Sequence, residues 1–154
     1  MKNLFQIGSG IFIFLIASSF KHLVEAVIFD FLLILKVDHH LNFYLTNLVS
    51  YSSLFIVLLV LVKRFEKKLK LNFEKKILLK LFITYFLIQL LQFFYSFYLS
   101  EYLLINYTEK YKLQFIETIT NSAFYMTLNP IFIYISHIFI FIFFYFKIKK
   151  NTDL

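Results

Sequence analysis

The amino-acid sequence predicts an all-α membrane protein: four transmembrane helices in a bundle, with short interfacial helices outside and a basic amphipathic helical hairpin in the cytoplasm. Three observations predict this class. Of 154 residues, 60% are hydrophobic and 22% aromatic, with a mean hydropathy of +0.76, which leaves too little polar surface to cover a soluble globule. Apolar stretches near the roughly 20 residues a helix needs to cross about 30 Å of hydrocarbon recur along the chain. Twelve of the 16 Lys and Arg fall at Lys2, between Lys63 and Lys80, and between Lys147 and Lys150, and basic residues collect on the cytoplasmic side of membrane helices.

The first span, 4–20, follows Lys2 and carries Gln6, Ser9 and Gly10. It resembles a retained signal peptide, Ala17-Ser18-Ser19 being a poor cleavage site. Segment 21–40 reads as an outer interfacial helix. Its apolar run, Leu23 to Val37, is short for a span, and Glu25 or Asp30 at mid-membrane would cost roughly 2.5–3.5 kcal/mol. The second span, 41–62, carries Thr46, Asn47, Ser50 and Ser53. After the cytoplasmic loop 63–76, the third span, 77–100, carries Thr84, Gln89, Gln92 and Ser96. Segment 101–122 reads as a second outer piece along the interface, with Leu113, Ile116 and Ile119 at helical spacing. The fourth span, 123–146, carries Asn129, Ser136 and His137, and Pro130 predicts a kink.

Four spans put all three basic clusters on one side, so both termini are expected in the cytoplasm, as in a prokaryotic inner membrane. The two large clusters stay together even if 23–37 spans, because only the N-terminus would then change sides. Within the loop, Phe65-Glu66-Lys67-Lys68-Leu69 is echoed by Phe73-Glu74-Lys75-Lys76-Ile77. Phe65, Leu69, Phe73 and Ile77 form an i, i+4 stripe, and Glu66 can pair with Lys70. Lys63, Arg64, Lys67, Lys68, Lys75 and Lys76 are therefore the candidate contact for anionic headgroups, or for a cytoplasmic protein or RNA-containing partner. An ordinary positive-inside loop accounts for the same residues.

Polar residues at membrane depth are the other candidates: Ser50, Ser53, Gln89, Gln92, Asn129 and His137, as a seam that bonds helix to helix or lines an aqueous path. On these boundaries His137 is the titratable group placed well inside a span. Asp38-His39-His40 offers metal-ligand chemistry, but neighbouring helical residues diverge and no matching cluster accompanies them. The chain has no cysteine, which excludes thiol chemistry, and no nucleophile-and-base pair, phosphate loop or cofactor motif is recognisable. An enzyme is not expected, nor a cofactor. Asn106-Tyr107-Thr108 fits a glycosylation sequon.

Small multidrug transporters carry a membrane Glu in the first helix that 4–20 lacks, and the Gly, Arg and Thr-Phe motifs of fluoride channels are missing. In size, span count and the Lys63–Lys80 loop, the whole chain resembles the four-span membrane accessory proteins encoded beside RNA-targeting type VI-B CRISPR effectors. No diagnostic motif accompanies the resemblance, so no site residue is carried over. It implies a non-enzymatic accessory in antiviral defence that self-associates, forms a pore and is regulated through its basic loop. The polar seam alternatively suits a small-solute transporter or lipid flippase, and the loop suits a membrane anchor for a partner complex.

Overall fold

The computed structural model describes residues 2–71, 75–107 and 133–146, and among them all but the turn 35–38 are helical. Helix α1 runs Lys2–Ile34 and α2 runs His39–Leu71. Helix α3, Lys75–Phe94, continues through a wider π-helical turn, Tyr95–Ser100, into α4, Glu101–Tyr107. Helix α5 is Ile133–Phe146.

The break expected at 20/21 does not occur. Between Ile11 and Ile34 there is neither Gly nor Pro, so no residue interrupts the backbone ladder, and α1 carries straight through the segment read as interfacial. It ends at a well-formed stop. Lys36 takes a left-handed φ of 57°, its N–H bonds the Leu33 carbonyl at 2.9 Å, and that of Val37 reaches back to Leu32 at 3.1 Å. These two bonds close a Schellman motif. Asp38 then opens α2, its Oδ1 accepting from the N–H groups of His40 at 3.0 Å and Leu41 at 3.3 Å, as an N-cap does. The third helix likewise passes its expected end at 100 and continues to Tyr107.

Contacts set the register of the bundle. The Lys21 ammonium lies 4.7 Å from the Tyr51 ring centroid, and Asn42 Nδ2 donates to the Phe29 carbonyl at 3.3 Å, so α2 runs antiparallel to α1. Phe12 meets Phe82 at 5.8 Å and Ser19 meets Gln89, which makes α3 parallel to α1. Helix α5 is antiparallel to α1, with Phe144 against Gly8 and Phe141 against Phe12 at 6.1 Å. Up-down-up-down order follows, with α1 packed against both α2 and α3.

Leu4–Ile34, His40–Glu66 and Lys76–Leu103 are each long and apolar enough to cross a membrane, and Ile133–Phe146 is a shorter apolar helix. The outer faces are greasy: Leu48, Phe55, Leu59, Leu91, Phe94 and Phe139 are all exposed. Such a surface is stable in hydrocarbon and not in water. This supports a helical membrane protein. At 1.5 Å rise per residue, the pairings above bring 41–62 of α2 level with about 10–31 of α1, and 77–100 of α3 level with about 7–30. Lys21, Glu25 and Asp30 therefore lie level with the apolar stretches of the neighbouring helices.

Candidate functional site

The bundle has two chemically distinct halves. Toward the end that holds Lys2 and the 63–80 stretch, the core is apolar and aromatic. Phe5, Phe12, Ile13 and Ile16 of α1 pack with Ile77, Leu78, Leu81 and Tyr85 of α3 and Phe144 of α5. Phe82 and Phe141 stack at 4.1 Å, and Phe12 meets both edge-on. These rings form a plug at one level, filled with the offset and edge contacts that aromatic quadrupoles favour. Gly8 permits the close crossing of α5, since a Cβ there would stand 2.9 Å from Phe144 Cγ.

Beyond the plug the interior turns polar. Gln89 Nε2 donates to Ser19 Oγ, Tyr134 donates to Gln89 Oε1 at 2.9 Å, and Ser19 donates to the Leu15 carbonyl at 2.7 Å. One level closer to the plug, the Tyr85 hydroxyl is hydrogen-bonded to Nδ1 of His137. One level further out, Lys21 Nζ bonds Glu25 Oε2 at 2.6 Å, with His22 Nδ1 at 3.2 Å from the same oxygen. Asp30, 5% exposed, accepts from the Tyr95 hydroxyl at 2.8 Å. On α2, buried Thr46 donates to Asn42 Oδ1 at 3.0 Å. Internal pairing of this kind is what polar groups require away from water.

A cleft of about 520 Å³ opens between these helices, lined by His22, Glu25, Asp30, Thr46, Asn47 and Gln92 with Phe29, Phe43 and Ser100. It lies where α2 and α3 stand apart, with α1 as its floor. The π-helical turn marks the α3 side: Tyr95 begins it and Ser100 closes it.

The sequence-derived candidates divide. Gln89 sits at the centre of a three-helix network, Gln92 lines the cleft and His137 is paired. Ser50 is buried and Ser53 half-buried, but each donates to a carbonyl of its own helix, Asn47 at 3.1 Å and Ser50 at 2.7 Å. Neither bonds across the bundle among the described residues. Asn129 and Pro130 lie outside the described residues, as do Thr108, Lys110, Lys112, segment 108–122 and the C-terminal lysines. In the basic stretch Lys63, Arg64 and Lys76 are exposed, and the side chains of Lys67, Lys68, Lys70 and Lys75 are outside the description, as is Phe73. Asp38 serves as a helix cap.

Two readings need correction. His137 is not alone among titratable groups level with the apolar stretches, since Lys21, His22, Glu25 and Asp30 share that zone. The first helix does carry a carboxylate, Glu25, contrary to the 4–20 boundary. Sequence reasoning does not place Ser19, Lys21, Glu25, Asp30, Tyr85, Tyr95 and Tyr134 at a site; the signals available are two carboxylates, Glu25 and Asp30, within an apolar run, and the i, i+4 spacing of Lys21 and Glu25, as in an intrahelical pair. No match was found to a protein family, to a curated protein or to a solved structure.

Proposed function

We propose that this chain is a non-enzymatic integral membrane protein that provides a gated path through a prokaryotic cytoplasmic membrane. Four helices span, with both termini and the Lys63–Lys80 stretch in the cytoplasm, and α1 is the central one. The observation that carries this reading is the division of the interior: a cleft lined by Glu25, Asp30, Asn47 and Gln92 lies in the half away from the basic end, and the Phe12–Phe82–Phe141 plug closes the other. Ionisable residues at membrane depth mark solute or ion pathways more often than they serve stability. A bundle this small conducts by association of copies around an axis, and the exposed basic residues Lys63, Arg64 and Lys76 offer the cytoplasmic face a partner to control it. An accessory role in antiviral defence is in keeping with this architecture.

The asymmetry of cleft and plug equally favours a small-solute carrier caught facing outward. Both readings are tested together, because the chain lacks cysteine and single cysteines report access directly. Asn47→Cys and Gln92→Cys react with a membrane-impermeant maleimide from outside, whereas Arg64→Cys and Lys76→Cys react only from the cytoplasmic side. Labelling of Asn47→Cys and Arg64→Cys from the same side contradicts the topology. Given that topology, an ion leak in proteoliposomes that rises when Phe12 and Phe141 are replaced by Ala supports a pore. Substrate-dependent uptake without leak supports the carrier.

A further inference from the structure

We propose that the cleft holds an organic ammonium group against Asp30, supplied by a free solute or by a lipid headgroup. The inference rests on the outward-opening cleft proposed above. Among the charges that line or border it, Glu25 is matched by Lys21 at 2.6 Å and faced by His22 at 3.2 Å. Asp30 is not matched: it is 5% exposed, receives a single neutral hydroxyl at 2.8 Å, and forms no ion pair with a described residue. A carboxylate so placed leaves the cleft wall with a negative charge that a cation would offset.

The rest of the wall selects the kind of cation. No group of three His, Cys, Asp or Glu able to hold a metal ion occurs among the described residues, so a hard divalent ion would lack ligands to replace its water. Phe29 and Phe43 border the cleft instead, and aromatic faces attract weakly hydrated cations such as alkylammonium groups. Thr46, Asn47 and Gln92 add neutral polar contacts without competing charge. A volume of about 520 Å³ lies within the usual range for small-molecule sites. Anionic ligands are disfavoured by the two carboxylates.

The test measures the rate of maleimide labelling of Asn47→Cys in nanodiscs made of phosphatidylglycerol, which has no ammonium group. Saturating tetraethylammonium is expected to slow labelling about tenfold by occupying the cleft, while 3-ethylpentan-3-ol, an uncharged triethyl analogue, has no effect. Asp30→Asn is expected to abolish this protection, and Tyr95→Phe, which keeps the carboxylate, to retain it. Phosphatidylethanolamine nanodiscs separate the sources: slow labelling without added solute identifies a headgroup as occupant, and fast labelling that tetraethylammonium slows identifies a solute.

Absence of protection by tetraethylammonium and by phosphatidylethanolamine overturns the proposal. So does equal protection by the uncharged analogue, a contrast that stands even if Asp30→Asn fails to fold. An Asn47→Cys that is unreactive from outside under every condition removes the outward cleft itself, and the ammonium site with it. Reactivity without protection leaves the cleft in place and removes only the ligand.

Discussion

At the scale of single residues, the interior of this bundle depends on pairs that cross between turns and between helices. Lys21 is 11% exposed and Glu25 35% at the side chain, level with the apolar stretches around them. Removing one partner leaves the other uncompensated, which costs more than the pair itself contributes. Lys21→Met is therefore expected to lower stability by about 2 kcal/mol, less than for a fully buried pair because Glu25 keeps His22 and partial exposure. The double variant Lys21→Met with Glu25→Gln should recover most of the loss, as read by thermal unfolding in detergent across a double-mutant cycle. The two glycines offer a cleaner contrast. Gly8→Ala drives a methyl group to 2.9 Å from Phe144 while Gly10→Ala meets nothing within 4 Å. The first should lower the melting temperature by loosening α5, and the second should leave it unchanged or raise it, since Ala is the better helix former by about 1 kcal/mol.

Elements show why part of this structure was legible in the sequence and part was not. Apolar length found helices over 41–62 and 77–100, because the polar residues there are few and, apart from Lys80 at the basic end, neutral. The same criterion divides α1 after residue 20, since Glu25 and Asp30 each carry the insertion cost of a carboxylate that faces lipid alone. In the structure Glu25 meets Lys21 and Asp30 meets Tyr95, and the latter bond is 65 residues away in sequence, beyond the reach of any local pattern. The i, i+4 spacing of Lys21 and Glu25 was the readable part of that site. Gln89, Gln92 and His137 were legible as polar residues in apolar surroundings, but Tyr134 and Tyr85, which pair with Gln89 and His137, were hidden among 11 tyrosines in the chain. The turn between α1 and α2 has its own prediction. Asp38→Ala removes the cap on two N–H groups and is expected to cost about 1 kcal/mol, whereas Lys36→Gly relieves a left-handed φ of 57° and should stabilise by up to about 1 kcal/mol. Thermal unfolding of the two variants checks both signs.

For the whole molecule, the central claim is that α1 is one span whose outer half carries charge at membrane depth, in place of a short span followed by a surface helix. Depth follows from register: the level midway through the apolar stretches falls near residues 18–19 of α1, beside the Ser19–Gln89 contact. Ile7, Phe14, Val27 and Phe31 are exposed positions along α1 and can each carry a spin label without entering the core. In lipid bilayers, power saturation with oxygen and a nickel chelate reads the immersion depth of each label. A continuous span with a rise of 1.5 Å per residue places labels at 14, 27, 31 and 7 about 7, 12, 18 and 18 Å from the midplane. Equal, headgroup-level depths at 27 and 31, with the labels at 7 and 14 both deeper than that at 27, would contradict it.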